Sequence, residues 1–271
     1  MTTPGAEWAL ALTRRSVLKQ AKIRELTEAI GPISSETCLD IGGDNGAVSA
    51  ILRSKGGRWS SADLDDRNLA SIREVVGGDV RAIDGSRLPF ESASFDLVVI
   101  VDLLEHVQDD RRLVEECARV LRPGGTLIVN VPHWKRRSLI NAARHAVGLT
   151  DEWHGHLRPG YTVEGLRALL SPAFRIETAR TYSRAFSETI DLVMNTVFER
   201  LKGRKGAVSS GSKGPVVTSG DVATHGTAFR LLGAAYPFLY AFSQLDALMP
   251  FQSGYKLIVR ARHVPSVERA A

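Results

Sequence analysis

Four aspartates stand where short apolar runs end: Asp40, Asp63, Asp84 and Asp102. A carboxylate at such a point accepts hydrogen bonds from hydroxyls or amines, and in open α/β sheets ligands bind outside the carboxyl ends of the strands. The first of them lies in Leu39-Asp40-Ile41-Gly42-Gly43-Asp44-Asn45-Gly46, where glycines let the backbone approach a ligand with no Cβ in the way. The helix expected to follow turns its free N–H groups toward an anionic group. Two ligand classes suit this loop: the pyrophosphate of a dinucleotide, or the carboxylate end of a nucleoside that carries an amino acid. A dinucleotide fingerprint reads G-x-G-x-x-G/A; counting from Gly42, its second glycine is Asp44, which would crowd and repel a pyrophosphate. A nicotinamide-dependent oxidoreductase is thereby disfavoured. Asp63 is placed to accept both hydroxyls of a ribose, and Asp84 to meet an adenine amino group.

Histidines supply the candidates for proton transfer. His106 lies just beyond the fourth expected strand and His133 follows the fifth, so both fall on the ligand side and suit a general base toward a hydroxyl. The plainer reading of His106 is a structural hydrogen bond across its loop. A second polar cluster runs from Asp151 to Arg158; His154, His156, Arg158 and, a little further on, Tyr161 are the candidate substrate contacts, with loop packing as the bland alternative. His-x-His beside carboxylates is a metal-like spacing. Residues i and i+2 face apart on a helix, however, and no second ligand pair of familiar spacing accompanies them, so no metal is expected.

The elements that position these residues alternate. Apolar runs at 37–41, 59–64, 80–84, 95–101 and 126–131 are separated by helical patterns at 47–53, 68–76 and 109–121. The run at 95–101 is apolar on both faces, as a central parallel strand covered on each side must be. Such alternation predicts a doubly wound, mostly parallel α/β sheet. Ahead of it, 7–30 reads as one amphipathic helix. Beyond it come a helix at 162–170, a strand at 174–181, a helix at 187–201 and an apolar helical stretch at 228–249 broken by Pro237. A last strand falls at 255–261. The expected organisation is a single domain over 1–271: an N-terminal helix in 1–35, a cofactor-binding core in 36–132 and an acceptor-side region in 133–263. That last region includes a mobile Gly/Ser/Lys-rich linker at 202–226, an apolar helical segment at 227–250 and a closing strand at 254–262.

Over 37–132 the chain resembles the class I S-adenosylmethionine-dependent methyltransferases, in particular the group related to ubiquinone-biosynthesis and small-molecule O-methyltransferases. The matching stretches are the glycine loop above, Ala62-Asp63-Leu64, Asp84-Gly85-Ser86-Arg87-Leu88-Pro89-Phe90 and Phe95-Asp96-Leu97-Val98-Val99. They continue through Leu104-Glu105-His106-Val107 to Leu121-Arg122-Pro123-Gly124-Gly125. The resemblance implies a Rossmann-like sheet of seven strands with an antiparallel last strand, a helical insertion before that strand, and S-adenosylmethionine as cofactor, leaving S-adenosylhomocysteine as product. It implies that Gly42, Gly43 and Gly46 line the methionine part, that Asp63 meets the ribose, that Asp84 with Gly85 and Ser86 contacts the adenine, and that Asp102 lies on the path to the methyl group; Asp40 and Leu64 complete the expected cofactor-binding set. Asp44 departs from the pattern, which has glycine there.

The expected reaction is methylation of a small-molecule or lipid-like acceptor, at a hydroxyl oxygen in the first instance. Methylation at nitrogen or carbon, and a non-catalytic S-adenosylmethionine-binding module, are the alternatives. The net charge of +5 comes from 35 basic and 30 acidic side chains, without the dense basic stripe of a nucleic-acid binder. Cys38 and Cys117 read as buried structural thiols in a reducing, cytoplasmic setting. The run from Leu231 to Leu245 carries no charge and is shorter than the ~20 residues that span a bilayer, so it suits core packing, a lid or a peripheral membrane contact.

Overall fold

The computed structural model describes residues 6–135, 138–151, 155–171, 173–202 and 226–264. Seven strands form one sheet: β1 Thr37–Ile41, β2 Arg58–Asp63, β3 Val80–Ala82, β4 Phe95–Val101, β5 Leu121–Pro132, β6 Phe174–Tyr182 and β7 Lys256–His263. Their order is β3-β2-β1-β4-β5-β7-β6, with the first five parallel and β7 antiparallel to both of its neighbours. This is the expected doubly wound sheet. The last strand in sequence slots between β5 and β6, with Val259 opposite both Val129 and Ala179.

Strand β4 shows why the core sits where it does. Its side chains alternate between faces. Val98 and Ile100 pack with Leu113, Val114, Cys117 and Val120 of helix α5 (Asp110–Val120) and with Leu166 and Leu170 of α7 (Val163–Leu170). Leu97, Val99 and Val101 pack on the other face with Leu26 and Ile30 of α2 (Val17–Ile30) and Leu52 of α3 (Ala47–Arg53). Each such fully buried aliphatic contributes about 2 kcal/mol. Both cysteines are buried and unpaired; burial pushes the Cys38 thiol up to about 12 and raises that of Cys117 further.

Local chemistry changes three expectations. The first helical stretch is two helices, α1 (Ala6–Arg14) and α2, because the Ser16 side chain accepts from the Lys19 N–H and starts a new helix. The Pro-Gly-Gly segment after α5 does not delay the fifth strand. Leu121 already pairs with Phe95, and the register slips before Thr126 pairs with Leu97, so these residues form an irregularity inside β5. Pro237 lies inside α9 (Gly226–Gln244), which continues to a 3-10 turn at Leu245–Leu248; a proline removes one N–H donor and here does not end the helix. Helix α4 (Asp66–Val76) is close to its expected place, α8 (Ala185–Lys202) likewise, and α6 (Leu139–Ala146) is an additional helix capped by Ser138. Of the expected linker, 203–225 lies outside the described residues.

Candidate active site

The glycine loop joins β1 to α3, and its shape is enforced by what lies beneath it. A Cβ on Gly43 would sit 2.4 Å from Ser49 Oγ, and one on Gly46, which has φ +82°, 2.8 Å from Val75 Cβ. Asp44 has φ 51°, the left-handed region that glycine enters freely and that aspartate tolerates better than most residues. The structure thus gives a reason why glycine suits this position and why aspartate can replace it. Asp40 lies beneath the loop near the end of β1. Its buried carboxylate accepts from Ser49 Oγ at 2.6 Å, Ser61 Oγ at 2.9 Å and Arg53 Nη1 at 2.9 Å. With both oxygens engaged inside the protein it fastens α3 and β2 to β1.

The adenosine-side candidates stand apart. Asp63 is buried; its Oδ1 accepts from Asn68 Nδ2 and from the Asp65 N–H, each at 3.1 Å. Leu64 packs against the core. Asp84 and Arg87 close a tight turn through paired backbone hydrogen bonds, with Gly85 exposed at its tip and Ser86 half-buried beside it.

Asp102, His106, His133 and His156 are brought together around a cavity of about 370 Å³, with Asp44 and Asn45 on its wall. Asp102 follows β4 with φ 44° and receives Lys22 at 2.5 Å, Lys256 at 2.9 Å and the Asn130 amide at 3.2 Å. Burial works to raise its carboxyl pKa, but the two ammonium groups outweigh that and hold it well below the usual carboxylate range. His133 places Nδ1 2.7 Å from the Gly254 carbonyl. A carbonyl only accepts, so Nδ1 carries the proton and Nε2 of the neutral ring keeps its lone pair. His106 does the same toward the Gly155 carbonyl at 3.0 Å.

Arg158 and Tyr161 point elsewhere. Arg158 donates to the carbonyls of Leu104, Val107 and Gln108, while the buried Tyr161 hydroxyl donates to Asp110 at 2.7 Å. They brace the segment after β4 and do not line this cavity. His154 lies outside the described residues.

Sequence reasoning missed Glu105, Lys256 and the ion-pair group of Lys135, Arg144, Glu188 and Asp191, all on the cavity wall. Glu105 is 1% exposed; burial and then the neighbouring Asp102 raise its carboxyl pKa. The available signal was a charge set among apolar residues: Glu105 after Leu103-Leu104, and Lys256 at the head of Leu257-Ile258-Val259.

Against known proteins, residues 39–129 match the family model described as a methyltransferase domain. A demethylmenaquinone methyltransferase of Clavibacter sepedonicus is 35% identical over 107 residues, 38% of this chain and 44% of the relative. A ubiquinone biosynthesis O-methyltransferase of Idiomarina loihiensis is 33% identical over 132 residues, 44% and 54% of the two chains. The chain thus spans about half the length of the curated relatives it matches. The solved structure of the cyclase SpnF superposes with a TM-score of 0.57 at 19% identity, over 91% of this chain and 82% of that one, a likeness of fold alone. Residues 39–129 thus carry the match to a methyltransferase domain, and the seven-stranded sheet with its antiparallel β7 is the one expected from the resemblance.

The donor set suits the amino-acid end of S-adenosylmethionine. Asp102 offers a carboxylate to an ammonium group. The buried Asn45 Nδ2 has no hydrogen-bond partner among the described residues and supplies a donor for a carboxylate.

Proposed function

We propose that the chain methylates a hydroxyl oxygen of a small phenol-like or lipid-like acceptor held in the cavity, with His133 as general base. The observation that carries this reading is the His133 Nδ1 contact to the Gly254 carbonyl at 2.7 Å, which fixes the tautomer needed for a base at Nε2. S-adenosylmethionine supplies a methyl group on a sulfonium, a leaving group that needs no further activation. The protein's part is then to bind, align and deprotonate. Asp102 and Asn45 hold the amino-acid end. Asp63 meets the ribose by exchanging the Asn68 amide for a hydroxyl. His133 takes the acceptor proton as the oxygen–methyl bond forms. The two relatives, named for demethylmenaquinone and for ubiquinone biosynthesis, support an acceptor of quinol type.

The test is transfer of labelled methyl from S-adenosylmethionine to a panel of catechols and quinols, with the methylated atom read by NMR. His133→Asn is expected to lower kcat about 100-fold or more. A methyl found on carbon or nitrogen, or an unchanged kcat in the variant, counts against the oxygen reading.

One further observation favours a lipid-like acceptor or a membrane surface: Leu231, Phe238, Leu248 and Phe251 of the α9 region are exposed, Phe238 by 78%. No helix among the described residues is long and apolar enough to cross a membrane. Co-sedimentation with anionic vesicles tests this contact, and a protein that stays wholly in the supernatant rejects it.

A further inference from the structure

Glu105, His106 and His156 converge on the cavity from two separate stretches of chain, and their ligand-capable atoms all lie within 4.8 Å of one another. The convergence is built. The Leu157 N–H donates to the Glu105 carbonyl at 2.9 Å and the His156 N–H to the Asp151 carbonyl at 2.9 Å, which pins the His156 loop against the segment after β4. The two imidazoles meet edge to face with centroids 4.9 Å apart.

Glu105 is the anomaly that calls for a ligand. It is almost fully buried, and neither carboxylate oxygen has a hydrogen-bond partner among the described residues. A carboxylate withdrawn from water in this way needs a compensating charge or a proton. Both histidines are arranged as metal-bound imidazoles commonly are, with an outer acceptor at Nδ1. For His106 it is the Gly155 carbonyl, hydrogen-bonded at 3.0 Å; for His156 the Asp151 carboxylate lies nearby at 3.8 Å, near enough to close on a protonated Nδ1 as the site draws together.

We propose that Glu105, His106 and His156 form a site for a divalent transition-metal ion of the zinc type, open toward the cavity. Two imidazoles and one carboxylate match that class, whereas magnesium and calcium favour all-oxygen sets. Ligand atoms about 2.1 Å from one ion lie about 3.4 Å apart in a tetrahedral array, so the three side chains need to draw together by up to about 1.4 Å. The position left open on the ion takes a hydroxyl oxygen of the acceptor, a role that rests on the transfer reading above. Coordination lowers the pKa of a bound hydroxyl. The proton then goes to His133, the oxygen–methyl bond forms, and the sulfur–methyl bond breaks with its electron pair staying on sulfur.

The test uses the full chain, stripped by chelator and titrated with Co²⁺ and Zn²⁺, with S-adenosylhomocysteine binding measured on the same samples. One equivalent of Co²⁺ per chain, with visible ligand-field absorption displaced by Zn²⁺, is expected. Glu105→Gln and His156→Ala should each abolish it, and Asp151→Asn should weaken it about ten-fold or more. His156 lies on a surface loop, so its variant keeps the test answerable if Glu105→Gln fails to fold. No stoichiometric metal in a protein that binds S-adenosylhomocysteine normally overturns the proposal while sparing the methyltransferase reading. Metal binding that survives both substitutions overturns it equally.

Discussion

Asp44 and Asp102 show two ways in which one residue type serves this site. Asp44 occupies left-handed backbone at φ 51°. Asp44→Gly should therefore leave thermal stability within about 1 kcal/mol, while Asp44→Val, β-branched in that region, should cost about 1–3 kcal/mol; thermal denaturation of both variants checks this. Asp102 sits between Lys22 and Lys256 with its folded-state pKa depressed. A depressed carboxyl contributes stability that is present above its unfolded pKa and lost as the pH falls through the folded value. The Lys22–Asp102–Lys256 pairing should accordingly persist through the ordinary carboxylate range and fail only in stronger acid. Asp102→Asn leaves two poorly solvated ammonium groups without their shared anion, so it should lower stability at neutral pH by about 3 kcal/mol. The loss should shrink toward strong acid, where the wild-type carboxyl is itself protonated. Urea unfolding as a function of pH reads both effects; equal losses at all pH values would refute this role for Asp102.

At the scale of elements, the segment between β5 and α7 mixes cavity wall and scaffold. His156 reaches the cavity, whereas Arg158 and Tyr161 turn away to hold the carbonyls and the carboxylate beyond β4. Tyr161→Phe should thus cost about 1–2 kcal/mol in unfolding free energy while leaving the acceptor KM unchanged; a raised KM at unaltered stability would return Tyr161 to the substrate. The strands were legible because their signal is local. An apolar run such as 95–101 is long enough to declare a strand covered on both faces, and the glycine loop announces the turn that follows β1. The helix break at Ser16 and the register slip at β5 were not, because single side-chain caps and a local irregularity decide them against an otherwise continuous pattern.

Across the whole molecule, the candidate residues carried by successive strand ends were readable and the cavity-wall residues assembled from distant segments were not. Asp102 and His133 follow strands that the hydropathy pattern marks directly. Lys22 on α2 reaches Asp102, and Lys256 on β7 and Arg144 with Glu188 on α6 and α8 reach the cavity, only through tertiary packing, which spacing along a chain does not encode. The partners of Asp40 were hidden for the same reason: Ser49, Arg53 and Ser61 come from two elements folded around it. On the proposed reading, strand ends, loop and cavity together bind an amino-acid-bearing nucleoside. Calorimetric titration of the full chain with S-adenosylhomocysteine, with NAD as control, addresses that directly. One equivalent of S-adenosylhomocysteine should bind, weakened about ten-fold by Asp63→Ala, which corresponds to about 1.4 kcal/mol, and NAD should give no heat. Silence toward S-adenosylhomocysteine with a saturable response to NAD would contradict the methyltransferase reading at its root.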